Sequence, residues 1–143
     1  MIAGGAGPAA AHEASYASSV SIQFFDYAAP DAVEPSPCGD SASVDCFHGQ
    51  VTSPLEACER RRTVRVYRQH DAPPPGRSAR RVFNELVGTT TSSRNGSWVL
   101  PVNDPGIGDY FARAHKRTIE RTGHVHTCRG AASELLNVES DWG

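Results

Sequence analysis

Regular stretches in this chain are short, and that brevity constrains the fold more than any other feature. Apolar residues alternate with polar ones in brief runs, and each run ends in a cluster of Gly, Pro, Asn, Asp or Ser. Alternation puts every second side chain on one face, the period of a half-buried strand. The run from Ser18 to Phe25 reads this way, as does Phe47 to Thr52. Thr63 to Arg68 sets Val64 and Val66 against Arg65 and Tyr67, with the β-branched and aromatic content that suits a pleated surface. Val82 to Thr91, Trp98 to Val102, Asp109 to Lys116 and Ala132 to Val138 continue the series. No stretch of normal helix length carries an amphipathic helical pattern. Seven or eight short strands between turn clusters predict an all-β chain folded as an antiparallel sandwich.

The turn signals differ in strength. Pro73-Pro74-Pro75-Gly76 can continue neither a helix nor a ladder. Ser93-Arg94-Asn95-Gly96 predicts a hairpin between the strands on either side, because a type I′ turn needs positive φ at two residues and Asn-Gly supplies it. Asn103-Asp104-Pro105-Gly106 makes another turn, and residues 26–45 form a long loop rich in Pro, Asp and Ser. Residues 1–17 are rich in Ala, Gly and Ser and read as a disordered tail or the remnant of a signal peptide. Pro8-Ala9-Ala10-Ala11 suits a cleavage site, and a full signal would start upstream. The single domain is then expected over 18–143.

With 143 residues, the chain is long enough to bury a core of its own. No apolar run approaches the ~20 residues needed to cross a bilayer as a helix, so no membrane span is expected. A net charge of -2 hides an asymmetry: all 14 Lys and Arg residues follow Cys58, and thirteen of them are Arg. Apart from Arg60-Arg61-Arg62 and Arg80-Arg81 they are scattered among acids, whereas phosphate binding needs a dense cationic face. Nucleic acid is therefore not an expected partner, and the arginines read as a solvated surface.

Four cysteines, Cys38, Cys46, Cys58 and Cys128, permit three pairings. None forms a C-x-x-C, so a structural zinc site is not expected. Two disulfides are the better account, and they place the chain in an oxidising compartment, secreted or at the cell surface. Cys38 and Cys46 flank a polar loop that a bond between them would close, while Cys58 and Cys128 lie near strands far apart in the chain.

Several motifs come in a suggestive order: Phe47-x-Gly49-x-Val51, Cys58, the Arg61–Arg68 strand, Val87-Gly88-x-Thr90-x-Ser92, Gly96-x-Trp98, Tyr110-x-Ala112 and Cys128-x-x-Ala131-x-Ser133. Over about residues 47–138 this resembles the small secreted bacterial modules of the prealbumin-like (transthyretin-like) or carboxypeptidase regulatory-like class. The resemblance implies a Greek-key β-sandwich, prealbumin-like or Ig-like, with Cys58 bonded to Cys128. It also implies Trp98 and Tyr110 in the core, and Gly88 and Gly96 at positions set by backbone geometry. For function it implies a non-catalytic surface or binding module that uses no cofactor. Residues 26–46 and the Asp71–Arg81 loop look like insertions in that pattern. The urate-pathway hydrolases that share this sandwich end in Tyr-Arg-Gly-Ser, a tetrapeptide the chain lacks.

Candidate chemistry is sparse. Gly5-x-Gly7-x-x-Ala10 has no preceding strand and reads as coincidence. No Gly-x-Ser-x-Gly occurs, and Asn95-Gly96-Ser97 is a formal glycosylation sequon that a tight turn already explains. Cys46 and His48 share a face, but a disulfide at Cys46 would remove the nucleophile. His124 and His126 also share a face and could hold zinc or copper with Glu120 or His115 as a third ligand, the basis of an alternative reading as a metal-dependent or hydrolytic enzyme. The loops Asp26–Asp45, His70–Arg81 and Asn103–Gly108 are where binding is expected, with an extracellular protein or polysaccharide as partner. Arg77, Arg80 and Arg81 would favour an anionic one.

Overall fold

A computed structural model describes residues 12–29, 32, 35–39, 44–71 and 82–139, with the backbone alone at 12, 71 and 82. The chain is all-β: among the described residues there are twelve strands, one 3-10 turn at Glu56–Cys58 and no α-helix. The strands are β1 (His12–Tyr16), β2 (Ser19–Val20), β3 (Gln23–Phe25), β4 (Asp45–Thr52), β5 (Thr63–Asp71) and β6 (Val82–Thr91). After them come β7 (Ser97–Val102), β8 (Gly108–Ala114), β9 (Arg117–Arg121), β10 (His124–Cys128), β11 (Ala131–Ala132) and β12 (Leu136–Val138).

Two sheets, both antiparallel, carry the core. In the first, β4 pairs with β7 along one edge and with β2 and then β3 along the other. In the second, β5 lies between β6 and β8, and the far edge of β8 pairs with β11 and then β12. Each sheet thus has one edge built from two fragments. Gly49 explains the first break. A Cβ there would run into the Ser21 carbonyl and the Trp98 ring, so only glycine lets the chain cross β4 between β2 and β3.

Apolar side chains from both sheets make one core: Val20, Phe47, Val51, Trp98 and Leu100 meet Val64, Val66, Tyr110, Ala112, Ala114 and Val138. Phe47 lies between Phe24 and Tyr110, with ring centres 5.1 and 4.9 Å away. The alternation in the sequence produces this arrangement directly, since Val64, Val66, Trp98 and Leu100 fall on alternate positions of their strands.

Three expectations need correction. The tail expected over 1–17 is in part a strand: β1 runs parallel to β10, and β9 pairs antiparallel with β10 to give a third sheet. The β9–β10 hairpin carries no sequence signal, because its residues lack the apolar alternation that a core face imposes. The single strand expected over Ala132–Val138 is two, separated by Ser133–Leu135; the Ser133 hydroxyl accepts the Ala112 N–H where the ladder is interrupted. Finally, Asn95-Gly96 does not join a hairpin. Strands β6 and β7 lie in different sheets, and only Gly96 has positive φ (89°). Backbone bonds from the Gly96 N–H to the Ser93 carbonyl and from the Ser93 N–H to the Ser97 carbonyl close a turn, and the Asn95 carboxamide adds to it by accepting from the Ser97 N–H and from the Ser93 and Ser97 hydroxyls, so the turn carries the chain from one sheet to the other.

Candidate functional site

Register brings the three expected binding loops to one end of the two-sheet body. Asp45 is opposite Val102, and Phe25 is opposite Cys46, so the 26–45 and 103–107 segments leave the first sheet side by side. In the second sheet Asp71 is opposite Val82 and Gln69 is opposite Asp109, so the strand ends that flank positions 72–81 and the start of β8 lie at the same end. The 103–107 segment bridges the sheets. Arg77, Arg80 and Arg81 lie outside the described residues, as do residues 1–11 with Gly5, Gly7 and Ala10.

Each loop is held at its base by a different device. The disulfide Cys38–Cys46 (Cα–Cα 5.7 Å) ties the long loop to β4, and Phe25, Ala32, Val44 and Val99 pack around it. Cys46 is fully buried in that bond, which leaves His48 no thiol to activate. The second loop is anchored by Tyr110, whose hydroxyl donates to the Pro105 or Gly106 carbonyl at 2.6 and 2.8 Å, and by Arg68, which donates to the Ile107 carbonyl. Beside the third loop, Phe83 stacks on His70 with ring centres 4.8 Å apart, and His70 meets Glu85 at 2.8 Å. Half of Phe83 remains exposed (51%), so the start of β6 presents an aromatic face to solvent.

Between the loops and the edge of the first sheet lies an open cleft of about 510 Å³, lined by Phe24, Phe25, Pro35, Pro37, His48 and Leu136 among others. Burial lowers the His48 pKa and so favours its neutral imidazole. Nearby, burial raises the pKa of the Asp45 carboxyl; the Tyr27 N–H that it accepts opposes the shift, and Asp26 and Asp104 reinforce it.

The opposite end holds what the sequence concealed. Arg62, in a triplet that reads as solvated, is fully buried. Its guanidinium donates to the carbonyls of His115 (3.0 Å), Cys58 (2.8 Å) and Arg129 (2.7 Å) and to the Ser18 hydroxyl (2.8 Å). A planar five-donor fork suits several carbonyls from different segments, which an ammonium cannot match. Cys58–Cys128 (Cα–Cα 5.4 Å) closes the same knot, and Arg117 donates to the Ala57 and Arg60 carbonyls. The third sheet is rooted here.

His124 and His126 lie on that sheet with ring centres 6.0 Å apart. Neither suggested third ligand joins them. Glu120 is opposite Val125, which puts it on the other face, because side chains alternate along β10. His115 sits at the knot, where burial, reinforced by Arg65, Arg113 and Arg62, lowers its pKa. Among the described residues, no group of three or more His, Cys, Asp or Glu is placed to hold a metal ion. Comparison with protein-family models, with curated proteins and with solved structures returned no match.

Proposed function

We propose that this chain is a non-catalytic module of an extracellular or cell-surface protein, a prealbumin-like β-sandwich that presents three loops to a protein or polysaccharide partner. The observation that carries this reading is the convergence, at one end of a shared core, of the strand ends from which those loops leave. A rigid two-sheet body with its loops gathered at one end suits recognition, because the body fixes the loop bases while the tips are free to vary. The two disulfides support an oxidising compartment, since a cytosolic thiol pool would keep them reduced. The sandwich reading draws support from the core shared by two antiparallel sheets, with Trp98 and Tyr110 inside it.

An acidic polysaccharide is the favoured partner. Sugar rings stack on exposed aromatic faces such as Phe83, and Arg77, Arg80 and Arg81 follow within the adjoining segment of sequence. The test is a glycan array probed with the parent and with an Arg77→Ala/Arg80→Ala/Arg81→Ala variant. Binding to uronate-containing or sulfated glycans that is lost in the variant is the expected result. Equal binding by both proteins, or none by either, overturns the choice of partner.

A further inference from the structure

The cleft beside the first sheet has a shape that points to its ligand. Its lining includes Gln23, Phe24 and Phe25, the whole of β3. Consecutive side chains on a strand point to opposite faces, so a cleft touched by all three runs along the strand's edge and not over one face. One edge of β3 is paired with β4. Among the described residues no strand pairs with the other edge, which is the one the cleft follows. Leu136 of β12, from the second sheet, and Pro35 and Pro37 supply apolar walls. Proline has no N–H, so neither proline can donate to the open carbonyls of β3.

Charge selects what fits there. Asp26 follows Phe25, and Asp45 precedes Cys46, the residue opposite Phe25, so two carboxyls meet just past the end of β3. Asp26 and Asp104 both act on the Asp45 carboxyl and help to raise its pKa, a sign that three acids crowd this spot. No Lys or Arg lines the cleft, and burial favours the neutral form of His48. The end of the cleft therefore attracts a positively charged group.

We propose that this edge takes up an extended basic peptide segment of a partner protein, which adds a strand to β3 and sets a Lys or Arg side chain against Asp26, Asp45 and Asp104. Backbone hydrogen bonds to β3 hold the segment, and every second side chain packs on Phe24, Leu136 and the prolines. The charged contact at one end fixes the direction in which the segment lies. The cleft lies by β12, at the opposite edge of the second sheet from β6 and Phe83, so the site stands or falls apart from the polysaccharide reading.

The test titrates the full, isotope-labelled chain with the end-blocked peptide Lys-Val-Lys-Val-Lys and follows amide shifts by NMR. Saturable shifts centred on β3 and Leu136 are expected. The same peptide N-methylated at every peptide bond keeps its charge but cannot donate to a strand edge, and it binds at least about tenfold more weakly. Glu-Val-Glu-Val-Glu does not bind. An Asp26→Asn/Asp45→Asn/Asp104→Asn chain binds the basic peptide about tenfold more weakly, as the loss of three exposed ion pairs predicts. The peptide comparisons use the parent chain, so they decide the matter even where that variant is unstable. No saturable binding by the parent, shifts centred elsewhere, or equal binding of the basic and N-methylated peptides overturns the inference. Self-association of the free chain through β3 overturns it too, because the occupant is then a second copy.

Discussion

At the loop end of the two-sheet body, a disulfide closes a loop between cysteines eight residues apart, and carboxylates from neighbouring segments crowd one another. At the other end, a disulfide joins residues seventy apart, and one guanidinium satisfies carbonyls from three segments. The first end spreads its restraints over separate loops. The second concentrates them in a knot where β1, β5, β8 and β10 meet their connections. Losing one restraint at the loop end should therefore cost the molecule less than losing one at the knot.

Arg62→Met is the most direct way to break that contrast. The methionine keeps much of the volume but leaves three carbonyls and the Ser18 hydroxyl without their donor. A buried polar group deprived of its partner costs about 1–3 kcal/mol, so a loss of roughly 3–5 kcal/mol is expected from urea unfolding with both disulfides intact. A loss under about 1 kcal/mol would mean that water replaces the guanidinium and that the knot is not a keystone.

The disulfides sharpen the contrast by comparison with each other. On loop-closure entropy, replacing Cys58 and Cys128 with Ala costs about 4 kcal/mol, and replacing Cys38 and Cys46 costs about 2.5 kcal/mol. Chemical unfolding of the two double variants checks the order. Equal losses would show that strain or residual structure in the unfolded chain, not loop length, sets their contributions.

Asp45→Asn gives the smallest effect, with the opposite sign. Folding raises the Asp45 pKa, so the folded chain holds that proton more tightly than the unfolded chain does. Stability is then greatest below the ordinary aspartate pKa of about 3.9 and declines as pH rises through the folded value. The asparagine keeps an acceptor for the Tyr27 N–H without the charge, so it should be more stable than the parent at neutral pH. The gain should vanish in acid, as thermal melts across that range would reveal.

Legibility in the sequence followed the core. Strands that bury one face, such as Thr63–Asp71 and Ser97–Val102, show alternation because water is excluded from that face alone. Strands β1, β9 and β10 lie away from the shared core, so nothing forces a pattern on them: β1 reads as part of the tail, and β9 and β10 give no strand signal. The Asn95-Gly96 signal identified a turn correctly but not its partners, since a local preference cannot say which sheet the next strand will join. Arg62 was hidden for a different reason. Composition treats arginine as a surface residue, and only the convergence of His115, Cys58 and Arg129 creates a place for it inside. The loops could be named from turn residues, whereas their meeting at one end depended on register.

The parallel pairing of β1 with β10 also bears on the order in which the molecule folds. Strands β9 and β10 can meet as soon as their short connection forms, whereas β1 must await a partner encoded near the far end of the chain. Such a long closure is slow, and it follows the local pairings that form first. As ribosomes release the chain from its amino end, β1 emerges well before the β10 strand it pairs with. Until it docks, its backbone donors and acceptors are open to water and to any other strand edge within reach.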